Sequence, residues 1–289
     1  ETLVPVELIL PSDPDDNIVV GDFNKSLLDI CAARNNNVQL KAATKANQSG
    51  YFDDLKNQLP AAVAERVEWK AGEGGAVKVE EIVGLAWIPL TALELDVVDE
   101  DGRKVDAPSG QQIYSSKGEC INRFERLMSS PDVTSSNADE YRRELKNSAV
   151  LSAFKLAGDL PELFDYIYAE FPNAYNAAGG KFGKIKAVDA ADRGKKSTKY
   201  FATEVAVKYP DGFILPLVYG LKSLMKRQSD GNVAWSTDPK AFLKKHYRDI
   251  VAQYMSILSV VNNDPQKVGK AALSYTTALN AFKNVSGDS

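Results

Sequence analysis

Histidine is almost missing from this sequence: of 289 residues, only His246 is one. It lies in KKHYRD, on the polar side of a strongly signalled helix. Catalytic triads and most zinc sites need histidine together with partners. His-based catalysis and His-rich metal sites therefore fail on supply. Cysteine is nearly as scarce, with only Cys31 and Cys120. Both fall within predicted helices of separate halves and are expected to be reduced, unpaired core thiols, as in a reducing compartment. No apolar run approaches the roughly 20 residues that a bilayer span needs, which argues against a membrane partner. The phosphate-binding pattern Gly-x4-Gly-Lys-Ser/Thr does not occur, and no cofactor is called for. Positive charge is not in excess: 35 Lys and Arg face 39 Asp and Glu, for a net charge of −4. The molecule as a whole is not a basic nucleic-acid binder, so such a role needs a local patch. The chain starts at Glu1 rather than Met and shows no signal-peptide pattern. It is expected to be cytoplasmic and to be a piece of a longer protein.

Apolar residues, by contrast, are plentiful at 44%, enough for a large core in one big domain or two ordinary ones. LVPVELIL (3–10) reads as a strand. DFNKSLLDICAAR reads as a helix capped by Asp22. GYFDDLKNQL is a short helix with Tyr51, Phe52, Leu55 and Leu59 on one face. ERVEWK is a short strand, and KVEEIVGLAW a helix that Pro89 ends or bends. Residues 96–114 are acidic, contain Gly and Pro, and mark a connection between two parts. Beyond them the pattern is helical. Ser116 and Glu119 have capping-box spacing. Asn137 and Glu140 repeat it ahead of Tyr141, Leu145, Ala149, Ala153 and Ala157, with a stop at Gly158. Pro161 suits the start of a next helix bearing Phe164 and Ile167. Phe213, Leu217, Leu221 and Met225 mark another. Asp238-Pro239 opens one with Ile250 and Leu258, and Asp264-Pro265 one with Tyr275 and Leu279. The expected fold is mainly α, or α+β with a small N-terminal mixed region. Residues 1–95 form a mixed half and residues 114–289 a helical half.

Two stretches stand out chemically. In RNNNVQLKAATKANQSGYF (34–52), a single Asn would serve as a helix-end residue. Arg34, Asn35, Asn37, Gln39 and Asn47 together read as either an Asn-rich turn or a polar, ligand-facing surface. The second stretch, residues 179–200, holds seven basic residues against two acids: Lys181, Lys184, Lys186, Arg193, Lys195, Lys196 and Lys199. It reads as either a solvated loop or a nucleic-acid or anion contact, with Gly179, Gly180 and Gly183 freeing the backbone. On the second of these readings, Phe182, Tyr200 and Phe201 are available to stack on bases. The acidic residues 1–30 are an internal rival for the same charge. Acid-x-Lys pairs, which metal-dependent nucleases use, occur at chance level, and only Glu68-Lys70 falls on a predicted strand.

ICAARNNNVQLKAATKANQSGYFDDLK followed by VEWKAGE resembles the abortive infection phage resistance (AIPR) family. WIPL, QIYSSKGEC, GGKFGK, YPDGFILPLVYGLK and DPQKVGK resemble the C-terminal part carried by a subset of its bacterial members. The family's front signatures, Asn-Asn-Gly and Gly-x-Gln-Thr, are absent, so the resemblance implies a chain that starts inside the family domain. It implies antiphage defence and supplies no catalytic residues. The first expectation is thus a nucleic-acid-contacting module of such a protein, binding DNA or RNA. Other defence-system subunits or an upstream portion of the same protein are further expected partners. The alternatives are a protein–protein scaffold, or a metal-dependent nuclease built on Glu68 and Lys70.

Overall fold

The computed structural model describes residues 46–47, 49–70, 72–137, 142–185, 200–201 and 209–287. Among them are ten α-helices and three two-stranded sheets, so the protein is mainly α with a little β. The chain runs α1 (Asp53–Gln58), α2 (Ala61–Ala64), β1 (Val67–Glu68), β2 (Val77–Lys78) and α3 (Val79–Ala92). It continues through α4 (Gly110–Ser115), α5 (Lys117–Ser129), β3 (Thr134–Asn137), β4 (Arg142–Leu145) and α6 (Ser148–Ala177). Then follow α7 (Leu215–Gly220), β5 (Met225–Arg227), β6 (Val233–Trp235), α8 (Pro239–Val260), α9 (Pro265–Lys270) and α10 (Ala272–Ser286). β1 and β2 pair in parallel; the other two sheets are antiparallel hairpins. No described helix is long and apolar enough to cross a membrane. The predicted strand 3–10, the helix after Asp22, Cys31 and Tyr141 lie outside the described residues.

Two helices form the centre. α3 is buried continuously from Ile82 to Leu90, as a helix apolar on all sides must be. It runs three residues past Pro89, where the sequence suggests an end or a bend. One lost backbone bond near the last turn is outweighed by that burial. α6 is a single helix of 30 residues that contains Pro161 and Pro172. The sequence divides it in two, with a stop at Gly158. Gly158 has another role: a Cβ there would lie 2.2 Å from the Gln58 carbonyl oxygen. The missing side chain lets the end of α1 seat against α6.

The start of α6 is also later than the pattern suggests. Residues 134–137 and 142–145 form the β3–β4 hairpin, and Asn147 is the cap, accepting the Val150 N–H at 3.1 Å. The box expected at Ser116 is not formed. Glu119 instead pairs with Arg123 at 3.1 Å, one turn on. A true box stands just upstream: Gln112 Oε1 accepts the Ser109 N–H at 2.9 Å and Ser109 Oγ accepts that of Gln112 at 3.4 Å. The helix expected over Phe213–Met225 is broken into a 3₁₀ turn, α7, a second 3₁₀ turn and β5, although all four marker residues are buried. Both Asp-Pro starts hold. Asp238 caps α8 through Lys240 and Ala241, and Asp264 caps α9 through Gln266 and Lys267.

The Phe124 ring meets Phe52 at 5.7 Å and Trp87 edge-on at 6.4 Å, and stacks on Phe154 at 5.7 Å. One core therefore crosses the segment 96–114 that the composition marks as a connection. Within it, Asp99 is buried and accepts the Arg126 Nε–H at 2.7 Å and the Arg103 N–H at 2.8 Å. Of the side chains expected in the helical core, Phe164, Ile167, Leu217, Leu221, Ile250, Leu258 and Tyr275 are buried. Leu145 is only half-buried, at the end of β4. Leu279 is half-buried too, because α10 turns Ala278, Ala281 and Phe282 inward instead.

Leu221→Ala or Leu258→Ala should each cost about 2–5 kcal/mol in denaturant unfolding, and Leu279→Ala clearly less. Gly158→Ala is a sharper test. In an open helix it would stabilise by about 1 kcal/mol, but here it should lower the melting temperature because Cβ meets the Gln58 carbonyl.

Candidate functional site

The basic stretch begins where α6 ends. Gly179 takes φ of +92°, and a Cβ on Gly180 would stand 2.3 Å from the Tyr175 ring, so these glycines fold the chain back over Tyr175. The Phe182 N–H then donates to Asn176 Oδ1 at 2.8 Å. Phe182 and Ile185 are buried, while Lys181 just before Phe182 and Lys184 between the two are exposed. Arg248 of α8 adds a third exposed cation there, donating to the Ala177 carbonyl at 3.2 Å.

The far end of the stretch is pinned to the same helix. The Phe201 N–H donates to the buried Asp165 carboxylate at 3.0 Å. The Tyr200 ring stacks on Phe164 at 4.5 Å. Tyr209 stacks on Tyr168 at 4.1 Å, and the Tyr168 hydroxyl accepts the Tyr209 N–H at 2.6 Å while donating to its carbonyl at 2.5 Å. Phe182, Tyr200 and Phe201 therefore do not await bases, as the sequence suggests. Their rings are committed to the apolar face of α6, where burial is worth more than exposure.

Lys186, Arg193, Lys195, Lys196 and Lys199 lie outside the described residues, as do Arg34, Asn35, Asn37 and Gln39. Asn47 is half-buried at the end of the asparagine stretch, where its carbonyl accepts the Gly50 N–H at 3.1 Å, an ordinary turn.

The residues weighed for catalysis are otherwise engaged. Glu68 bonds Lys78 and accepts the Gly72 N–H at 2.8 Å, and Lys70 pairs with Glu73 at 3.5 Å. No group of three His, Cys, Asp or Glu among the described residues could hold a metal ion. The Cys120 thiol is buried and is pushed up to about 11 by burial. It points to the Gln112 carbonyl at 3.6 Å and is a core group. His246 packs on Phe242 with ring centres 4.8 Å apart.

Sequence reasoning missed a cleft that collects charged side chains from distant elements. Glu80 and Glu81 open α3, Lys117 opens α5, and Asp211 opens the 3₁₀ turn before α7; Tyr200 completes the polar lining. Phe164 and Phe201 wall it. Lys117 Nζ stands 3.6 Å from Glu81 Oε1. The Tyr200 hydroxyl donates to Asp211 Oδ2 at 3.1 Å, and the Arg66 guanidinium holds the Tyr200 carbonyl at 3.0 Å. Burial raises the Glu81 carboxyl above the usual range; Asp211 adds to the shift and Lys117 opposes it. Burial, then Asp211 and Glu81, likewise raise the Tyr200 phenol, which keeps its proton. Nothing local in the sequence marks this group. Glu80 and Glu81 look like ordinary first-turn acids that favour a helix start.

Comparison of the chain with protein-family models, with curated proteins and with solved structures gives no match.

Glu81 yields a pH test. Its folded pKa is raised, so above the ordinary glutamate value of about 4.3 the folded state holds the proton more often than the unfolded chain. Stability is then lost as pH rises through that window. Glu81→Gln should therefore melt higher than the parent at neutral pH, and the difference should vanish in acid below the ordinary glutamate range. A difference independent of pH would show that Glu81 does not titrate as described.

Proposed function

We propose that the protein contacts the phosphate backbone of DNA or RNA through the basic stretch 181–199, as the cytoplasmic, nucleic-acid-contacting module of an AIPR-like antiphage defence protein. The observation that carries this reading is the seven-to-two excess of basic residues between Gly179 and Tyr200 in a chain of net charge −4. The fold supports it in two ways. The aromatic side chains at both ends of the stretch are buried or stacked on α6, and Lys181 and Lys184 are left exposed beside Arg248. Stacking on bases drops out of the reading with those rings, leaving an electrostatic contact that is indifferent to sequence. The antiphage part rests on the sequence resemblance alone.

Like charges at this density repel, and phosphates would relieve the repulsion while releasing counterions. Affinity should then be weak, about 10⁻⁴–10⁻⁶ M at physiological salt, and should fall steeply as salt rises. Fluorescence anisotropy with labelled single- and double-stranded oligonucleotides measures both. Reversing Lys184, Lys195 and Lys196 to Glu should abolish binding with the melting temperature unchanged. If the triple variant binds like the parent, or neither binds at low salt, the proposal fails and a protein–protein scaffold becomes the leading reading.

A further inference from the structure

The outer face of α8 carries positive charge beyond that of the basic stretch. Its inner face is buried through Phe242, Leu243, Tyr247, Ile250, Val251 and Tyr254. The Tyr247 and Tyr254 hydroxyls fix it further, donating to the carbonyls of Ile167 at 2.9 Å and Phe213 at 3.0 Å. Lys240, Lys244, Lys245 and Arg248 are exposed on the opposite side. Steps of four residues stack Lys240, Lys244 and Arg248 in a row about 12 Å long. The acids around this row are mostly engaged. Asp238 caps α8, Glu162 of α6 pairs with Lys240, and Asp159 of α6 accepts the Trp235 indole N–H at 2.8 Å. Glu170, which accepts the Asn173 amide at 3.3 Å, and the exposed Asp249 remain, against Lys244, Lys245 and Arg248. Among the described residues none of these three cations forms an ion pair, and neither do Lys181 and Lys184. Arg248 joins the two groups, because the Ala177 carbonyl that its guanidinium holds lies four residues before Lys181.

Cations on α8 are in place before any ligand arrives. A helix held down along its whole inner face can neither wrap a flexible strand nor enter a groove. It meets phosphates only as a rigid row, which suits a partner whose phosphates are themselves fixed. A double helix carries one charge per about 1.7 Å of its axis, about twice the density of one strand. Its stiffness, with a persistence length of about 150 base pairs, holds those charges in position. A single strand would have to be ordered against the row, at a cost in conformational entropy. Resting on the phosphate contact proposed above, we infer that Lys244, Lys245 and Arg248 extend it and make the site prefer double-stranded to single-stranded nucleic acid. The basic stretch holds either form; the row on α8 adds contacts that only a duplex satisfies. The preference reads charge density and stiffness rather than base sequence.

Fluorescence anisotropy of the full chain with single- and double-stranded oligonucleotides of one length tests this. At about 0.1 M salt the parent should bind the duplex at least about tenfold more tightly. The double variant Lys244→Ala/Lys245→Ala changes only exposed side chains and leaves the Arg248 bond in place. It should weaken duplex binding about ten- to fiftyfold and keep single-strand binding within about twofold. The slope of log affinity against log salt for the duplex should become shallower by about 2. Lys146→Ala/Lys155→Ala removes the same charge from exposed positions before and early in α6, and should leave both affinities near those of the parent. If the parent binds neither nucleic acid at low salt, this inference falls together with the phosphate contact it rests on. Binding with no duplex preference, an α8 variant that binds duplex like the parent or loses both forms equally, or equal losses in the two double variants would overturn this inference alone.

Discussion

Two polar side chains sit inside the apolar face of helix α6, one turn apart: Asp165 and Tyr168, both essentially inaccessible to water. Left without partners, each would cost about 1–3 kcal/mol. Their partners are backbone groups of Phe201 and Tyr209. A helix interior thus supplies the polar contacts that a sheet would give, and irregular chain can be buried there without orphaned N–H and C=O groups. The aromatic layer around Phe164, Phe171, Phe182 and Tyr209 closes over this grip. Much of the arrangement on this side of the molecule follows from it. The basic stretch leaves at Ile185 and returns at Tyr200, and Tyr200 is also one wall of the carboxylate cleft.

The class of the fold was legible because its signals are local. Asp-Pro at 238–239 and 264–265 places a cap and a first helical residue in adjacent positions, and the apolar spacing of α8 follows directly. Errors arose where tertiary contact overrides local preference. Gly158 and Pro161 read as punctuation, yet one admits a carbonyl from α1 and the other is carried through by burial. Ser116–Glu119 has the spacing of a box, but Glu119 has a better partner in Arg123. The cleft was not legible at all. Its acids and its lysine come from residues 80, 81, 117 and 211, and only the packing of α3, α5 and α6 brings them together. The basic stretch was legible as charge, whereas the fate of its aromatic residues was not, because stacking on a base and stacking on a core look alike in sequence.

The account turns on the grip that α6 exerts on the returning chain, and hydrogen exchange at the Tyr209 amide measures it most directly. Tyr168→Phe keeps the ring stacked and deletes only the hydroxyl. The account predicts that the Tyr209 amide then exchanges roughly ten- to hundredfold faster, while amides in the middle of α8 keep their protection. Unchanged exchange at Tyr209, or an equal loss of protection throughout α8, would contradict it.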